Sequence, residues 1–406
     1  MSEQQDEKAE QSVGELTLPT PLSSTPPIEL PYPVPEPDEK WQLPNGFAHV
    51  FYGERHQGIT RPVIMADGFN LGRSDLKWLY AGLDRDYPLL SELRRRDRDV
   101  ILLGFEERSA SLLDNAQAAK ACIMRAQAEQ LGDARMVVGG FSMGGLVIRY
   151  ALAELESEGM DHRTGTCFSW DSPHRGAVIP VGVQAFAHFI SGTNDFARQM
   201  NSPAARQMLR RHYDPKSGEI GIAPERTEFL QRLAEVGNWP RIPRILALAN
   251  GRGDGTGPSV PPGETALKVE RIYPGTTFYT QAQGKDVIVA ELKRRFPKAE
   301  KTIKTSGFPE FDGAPGGTLR TYGILADTLK KFGAKVDLRH EEVCFVPSVS
   351  AVSIRDIDAQ KDLYADIDAL DPSDSDVDDF ICSSDTTAHT AVTEELGSWL
   401  IDRLPD

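Results

Sequence analysis

The stretch that most constrains this chain is Met136–Val147, where an apolar run breaks into Gly140-Phe141-Ser142-Met143-Gly144 and a helical pattern starts at once behind it. This pattern predicts a strand, a sharp turn and a helix. Glycines on both sides of Ser142 are typical of a turn that leaves no room for Cβ atoms where strand and helix meet. Such a turn would present the Ser142 hydroxyl at the carboxyl end of the strand, where the dipole and N–H groups of the following helix favour negative charge.

The chain on either side alternates between buried strands and helices. Apolar runs predict one strand that begins at Pro62 and another that covers Asp99–Phe105. Residues 110–131 have the composition and period of a helix. Strands alternating with helices predict a parallel sheet with crossover helices, which places the chain in the α/β class. Later apolar runs predict a return to the sheet at Ile242–Ala249, a last long strand at Val343–Val352 and an amphipathic helix at the end.

Two segments resemble a known family. Gly140–Gly144 resembles the nucleophile elbow of the α/β-hydrolase superfamily, and within it of the lipase/esterase-like serine hydrolases. Ser172-Pro173-His174-Arg175-Gly176 resembles the Thr-Pro-His-Xaa-Gly segment that follows the next strand in many lipases, at the right distance from the elbow. The resemblance covers roughly residues 60–260, and the later region around one histidine more loosely. It implies the α/β-hydrolase fold, a mostly parallel sheet flanked by helices.

Composition and the pattern of strands and helices also predict the domain organisation. Residues 1–40 are rich in Pro, Glu, Ser and Thr and are predicted to be a disordered arm. Residues 41–406 are predicted to be one catalytic domain, in which 176–240 leave the strand–helix rhythm and form an inserted helical cap. Extra helices packed at the sheet edge are the alternative. The apolar residues of the cap suggest an apolar acyl or alcohol group in the substrate; they are Val178, Ile179, Val181, Val183, Phe186, Phe189 and Ile190.

A serine nucleophile needs a base, and His389 is the best-placed of the eight histidines. It lies just before the C-terminal amphipathic helix, which is where the resemblance implies the catalytic histidine. His174 is the main rival, but in related lipases the histidine of that segment supports the turn.

The base needs a carboxylate to orient it, and two aspartates compete. Asp254 follows the strand after the cap in a Gly-x-x-Asp turn, which matches the commonest position in the family, and it is favoured. Asp171 ends the strand directly after the elbow unit, a position that some lipases use. Asp358 and Asp385 are more remote alternatives.

The resemblance also implies an oxyanion hole formed by the backbone N–H groups of Met143 and Phe69. Related hydrolases carry a His-Gly-X turn where this chain has Asp67-Gly68-Phe69. This departure hardly affects a backbone donor, but it brings a carboxylate near the site. Asp67 is expected to accept hydrogen bonds from loop amides.

The composition of the chain limits the kinds of partner that it is expected to bind. A formal net charge of -15 argues against binding to nucleic acid or to an anionic membrane surface. Neither a signal peptide nor a membrane-spanning apolar run is visible. Cys122, Cys167, Cys344 and Cys382 lack metal-ligand spacing, and the apolar strand-like runs around Cys167 and Cys344 indicate buried, reduced thiols. A cytoplasmic location is therefore expected, with no cofactor and no metal.

Three further segments have ordinary interpretations. The acidic stretch 371–379 has aspartates at alternate positions but lacks the glycine and glutamate of a calcium loop, so a solvated loop is favoured. The basic stretch Lys293–Lys304 is interpreted as a solvated helix face. The loop Gly313–Gly317 lacks the Lys-Ser/Thr of a phosphate-binding loop.

The sequence thus predicts a serine hydrolase that cleaves a carboxylic ester of a small or lipid-like molecule through an acyl-enzyme on Ser142. The first alternative is an acyltransferase or thioesterase that uses the same residues. The second is a binding protein without activity on a hydrolase scaffold. The substrate and the oligomeric state stay open.

Overall fold

The computed structural model describes residues 33–190 and 195–405. Within these ranges the main sheet has eight strands. The first two strand pairings along the sheet are antiparallel, and all the others are parallel. The strands lie side by side in the order β1 (Glu39–Leu43), β2 (Gly46–Phe51), β4 (Asp99–Phe105), β3 (Pro62–Ala66), β5 (Met136–Phe141), β6 (Thr164–Trp170), β9 (Arg244–Ala249) and β17 (Asp379–Cys382).

Helices cover both faces of this sheet. Side chains alternate across β3, so that Val63 and Met65 belong to one apolar cluster and Ile64 and Ala66 to the other. Helices α3 (Leu112–Glu129) and α4 (Met143–Ser157) pack on the side of Ile64, and α1 (Leu76–Leu83), α2 (Leu89–Arg95) and α12 (Glu394–Ile401) pack on the side of Val63. The predicted α/β-hydrolase fold is confirmed by this strand order and by the flanking helices.

In the described residues between β6 and β9, the regular structure is mostly helical. It contains α5 (Val181–Phe189), α6 (Asp195–Met200), α7 (Pro203–Met208), α8 (Pro224–Glu235) and a short ladder of β7 (His212–Tyr213) with β8 (Ile220–Gly221). Helices α6 and α7 are separated by Asn201 and Ser202. The Ser202 hydroxyl accepts the Ala205 N–H at 3.3 Å and so caps α7.

A second sheet follows β9 and is antiparallel throughout. Its order is β13 (Lys298–Thr305), β12 (Val287–Arg295), β11 (Thr277–Tyr279), β10 (Thr265–Val269) and β15 (Val336–Leu338), and α9 (Thr321–Lys331) lies between β13 and β15 in the chain. The interpretation of Lys293–Lys304 as a helix face is wrong, because this stretch forms most of the β12–β13 hairpin. Leu292 and Ile303 are buried while charged neighbours alternate outward, which is the period of a strand.

The expected long strand Val343–Val352 is also corrected. Strand β16 covers Val343–Pro347 and pairs with β14 (Gly316–Leu319) outside the main sheet; α10 (Ser348–Ala351) then follows at once. Proline has no N–H to continue a ladder, so the strand ends at Pro347. The last strand of the main sheet is instead β17, directly after the acidic stretch. The remaining elements are α11 (Gln360–Leu363) and 3₁₀ turns at Phe311–Gly313, Ile367–Ala369 and Pro372–Asp374.

The acidic stretch is only partly a solvated loop. Asp374 pairs with Arg355 at 2.8 Å and Asp376 with Arg175 at 2.9 Å, while Asp378 accepts the Ile245 N–H at 2.7 Å. These partners pin the stretch to its neighbours. Within the described ranges, no group of three or more metal-ligating side chains could hold a metal ion.

The predicted N-terminal arm lies mostly outside the described residues. In the described part of the chain the first strand, β1, begins at Glu39, two residues before the predicted start of the catalytic domain at residue 41. None of the helices in the described part of the chain is both long and apolar enough to cross a bilayer.

Candidate active site

The turn at Ser142 has the geometry that the glycine pattern predicts. Strand β5 ends at Phe141 and α4 begins at Met143, and Ser142 between them has φ 52° and ψ -120°. A positive φ is costly for a residue with a side chain, so the fold must hold it in place. A Cβ on Gly140 would lie 2.4 Å from the Gly144 carbonyl carbon, and a Cβ on Gly144 would lie 2.4 Å from the Ala66 oxygen.

A buried carboxylate and imidazole lie at the same edge of the sheet. His389 Nδ1 is 2.6 Å from Asp171 Oδ2, and both side chains are fully inaccessible to solvent. The second oxygen, Asp171 Oδ1, accepts the Asn250 N–H at 3.0 Å. A carboxylate facing Nδ1 fixes the proton on that nitrogen and leaves the Nε2 lone pair as the acceptor.

The sheet brings Asp171 next to Ser142. Strands β5 and β6 are parallel neighbours in a register that pairs Phe141 with Trp170, so Ser142 and Asp171 occupy matching positions just beyond the two strand ends. The Ser142 N–H also donates to the Trp170 carbonyl at 2.8 Å. Neighbouring strands are about 4.8 Å apart, so the serine and the aspartate are separated by one strand spacing.

The loop that carries His389 is fixed by backbone pairing and by packing. The His389 N–H donates to the Thr318 carbonyl at 2.8 Å, and the Phe345 ring meets the imidazole edge-on at 4.7 Å. A Cβ on Gly317 would lie 2.0 Å from Asp171 Oδ2, so β14 packs closely against the carboxylate. His389 Nε2 is buried and makes no hydrogen bond to any described residue, and a hydrogen bond from Ser142 is therefore not formed here.

The structure corrects the preference for Asp254 as the acid. Its side chain is exposed and binds residues of its own turn, accepting from Arg252 Nε at 3.1 Å and from the Thr256 N–H at 3.0 Å. These bonds, above all that to Arg252, lower the pKa of Asp254. The reason for the error is that the Gly-x-x-Asp pattern marks a turn but does not give the direction of its side chain. Asp358 pairs with Arg210 and is likewise not at His389.

His174 has the supporting role expected of it. Its Nε2 is 2.9 Å from Ser169 Oγ and its Nδ1 is 3.3 Å from Arg149 Nη1, while the ring packs against Trp239. Burial, assisted by the charge of Arg149, lowers the pKa of His174 well below its ordinary value. A neutral imidazole held at both nitrogens braces the turn after β6.

The Asp67-Gly68-Phe69 turn follows β3 and lies against the elbow. A Cβ on Gly68 would be 3.5 Å from Ser142 Cβ. Asp67 Oδ1 accepts the Gly68 N–H at 2.7 Å, which confirms the expected bond to a loop amide, and Arg108 Nη1 lies 3.7 Å from Asp67 Oδ2. Burial raises the pKa of Asp67 and the charge of Arg108 opposes that rise.

The site is closed in this structure, since Ser142 is only 3% exposed and His389 is 0% exposed. The helical insertion reaches the turn after β3, because Gln199 Nε2 on α6 donates to Asn70 Oδ1 at 3.1 Å. One of its large apolar residues packs within the protein. Phe186 packs edge-on against Phe278 of the second sheet at 5.4 Å, so its apolar character serves the core.

Sequence reasoning missed Asn250 and Arg108. Asn250 directly follows β9, where the apolar run meets a glycine-rich turn, and that boundary was the available signal. Arg108 lies in an irregular segment after β4, and nothing in its spacing relates it to Asp67.

No family model and no curated protein matches the sequence. Solved structures are similar in part, among them the following three. Est1E from Butyrivibrio proteoclasticus is 12% identical, with a TM-score of 0.31 over 50% of this chain and 72% of that one. The mature lipase BlEst2 of Bacillus licheniformis is 13% identical, with a TM-score of 0.30 over 50% and 72%. An esterase from Pyrobaculum calidifontis is 13% identical, with a TM-score of 0.33 over 52% and 64%. Scores this low carry no functional argument, and the α/β-hydrolase fold is established by the strand order and elbow of this chain itself.

Proposed function

We propose that this chain is a serine hydrolase that cleaves a carboxylic ester through an acyl-enzyme on Ser142. The observation that carries the proposal is the buried Asp171–His389 pair, 2.6 Å apart, one strand spacing from a serine in a strained turn. Burying two ionisable side chains is costly, and such an arrangement is typical of a site where the pair takes part in the chemistry.

Each residue has a defined role in this scheme. Ser142 Oγ attacks the ester carbonyl carbon while its proton passes to His389 Nε2, and the resulting imidazolium is stabilised by Asp171. The imidazolium then gives that proton to the leaving alcohol as the C–O bond breaks. Water attacks the acyl-enzyme with Nε2 again as the base, which releases the acid and restores Ser142.

The backbone N–H groups of Met143 and Phe69 are the proposed donors to the oxyanion. Met143 is the first residue of α4, so its N–H points out of the helix N-terminus, where negative charge is favoured. One donor of this kind contributes roughly 3 kcal/mol to transition-state stabilisation. Arg108 offsets the buried carboxylate of Asp67, which would otherwise oppose the oxyanion.

The absent Ser142–His389 hydrogen bond is compatible with this proposal. Catalytic hydrogen bonds are often long or misaligned without substrate and tighten in the complex. The orphaned Nε2 of His389 supplies a buried acceptor for that contact.

The test is hydrolysis of p-nitrophenyl esters from acetate to palmitate by the wild type and by Ser142→Ala. We expect Ser142→Ala to lower kcat by several orders of magnitude, as in other enzymes that lose a triad member. The chain-length optimum of the wild type measures the acyl pocket. Equal activity of both proteins would overturn the assignment of Ser142, and transfer to an added alcohol or thiol in clear preference to water would favour the acyltransferase alternative.

A further inference from the structure

Asn250 connects Asp171, just beyond the end of β6, to the loop that carries His389. It directly follows β9, is fully buried and uses both its backbone and its side chain. Its N–H donates to Asp171 Oδ1 at 3.0 Å, and its Oδ1 accepts from Trp170 Nε1 at 3.1 Å. Its Nδ2 donates to Thr387 Oγ1 and to the Ala391 carbonyl, each at 2.8 Å. Its carbonyl accepts the Thr387 N–H at 3.0 Å.

The two loop residues that Asn250 binds stand on either side of His389. Thr387 is two positions before the histidine and Ala391 is two positions after it. Because Asn250 also binds Asp171, one residue fixes the ends of the loop relative to the carboxylate. The Asn250 side chain has little conformational freedom, since it is hydrogen-bonded once at its oxygen and twice at its nitrogen.

We infer that Asn250 is a positioning residue, which sets the distance and angle between Asp171 and His389; the inference rests on the proposed function. An amide is required here. The group must accept from Trp170 and donate to a carbonyl, and only Asn and Gln carry both an acceptor and two donors that do not depend on pH. An aspartate would be isosteric, but it has no donor for Ala391 and would add charge beside Asp171.

The experiment compares Asn250→Ala and Asn250→Asp with the wild type by ester kinetics and by proton NMR. The NMR readout is the far-downfield resonance of the His389 Nδ1 proton shared with Asp171. We expect Asn250→Ala to lower kcat about a hundredfold, which is the usual effect of an ångström-scale misplacement. KM should change by less than about threefold, since the residue is not proposed to touch substrate. The resonance should shift or vanish, and Asn250→Asp should not rescue it.

Asn115→Ala is the matched control. Asn115 on α3 is also buried at 1% exposure, and its Nδ2 has no hydrogen-bond partner among the described residues. The same substitution there should leave kcat and the resonance unchanged. Wild-type kcat and an unchanged resonance in folded Asn250→Ala would overturn the inference.

If Asn250→Ala does not fold, Thr387→Val provides the test instead. Valine keeps the volume but removes the hydroxyl that binds both Nδ2 and the carbonyl of Asn250. A shifted resonance and a lower kcat support the inference, and an unchanged protein overturns it. The resonance also separates this inference from the proposed function. If the wild type hydrolyses no ester, the proposed function fails, while loss of the resonance in Asn250→Ala still supports the positioning role.

Discussion

The surroundings of Asp171 and Asp254 decide which of the two can serve as the acid of the proposed mechanism. Asp171 and Asp254 each follow a strand of the main sheet, but Asp171 is fully buried against His389 and Asp254 is exposed beside Arg252. Ser142 and His389 could be selected from the sequence because one lies in a dense local motif and the other just before a clear amphipathic helix. The contact between Asp171 and His389 could not, since the two residues are 218 positions apart in the sequence. Arg252, two positions before Asp254, was a visible sign that this carboxylate has a local partner.

The two aspartates therefore make a matched pair of substitutions. Asp171→Asn keeps the shape of the side chain but favours the wrong tautomer of His389, so we expect kcat to fall about 10⁴-fold. Asp254→Asn should stay within about threefold of the wild type, because an exposed turn residue does not reach the reacting atoms. Steady-state kinetics on the best p-nitrophenyl ester measure both. A large loss in Asp254→Asn with little in Asp171→Asn would reverse the assignment.

Secondary-structure elements were predictable where a short-range pattern carries them. Strands β3, β4 and β9 and helices α3, α4 and α12 show clear apolar runs or helical periods, and each lies close to its predicted position. The second sheet was not predicted. Its register shifts at a bulge between Ile288 and Ala290, which interrupts the alternation of β12. Strand β17 has only four half-buried residues, too few for any period to appear.

The close approach of Gly144 to strand β3 at the elbow predicts that a larger side chain is not tolerated there. Gly144→Ala places a methyl group 2.4 Å from the Ala66 oxygen, so strand β3 and helix α4 must move apart. We expect a loss of about 1–3 kcal/mol in the free energy of unfolding, together with loss of ester hydrolysis. Urea unfolding monitored by circular dichroism measures the first effect.

Gly221→Ala in β8 is the control for that variant. A Cβ at Gly221 meets nothing within 4 Å, so this substitution should change neither stability nor activity. Equal behaviour of the two variants would mean that the close approach at the elbow is not a constraint.

For the molecule as a whole, one buried carboxyl ties stability to pH. Asp312 is 2% exposed in the turn Phe311–Gly313, and its Oδ2 accepts the N–H of Gln281, just beyond β11. Burial raises the pKa of Asp312 from 3.8 to about 6. Between these values the folded state binds more protons than the unfolded state, so the free energy of unfolding falls as pH rises. Above about pH 6 the full loss, roughly 3 kcal/mol, is present.

Asp312→Asn removes this pH-dependent cost. An amide oxygen can still accept from Gln281, and the variant cannot ionise. We expect its stability relative to the wild type to rise by roughly 3 kcal/mol from about pH 4 to about pH 8, as measured by urea unfolding. A flat difference for Asp312→Asn would show that Asp312 ionises in the folded protein as it does in the unfolded chain.

The most direct test of the proposed function is labelling by a fluorophosphonate, followed by mass spectrometry to locate the modified residue. The proposal requires an activated serine, so the wild type should carry one label, on Ser142, and Ser142→Ala should carry none. His389→Gln should label far more slowly, because the serine then lacks its base. A folded wild type that resists the reagent, or a label at another residue, would contradict the account.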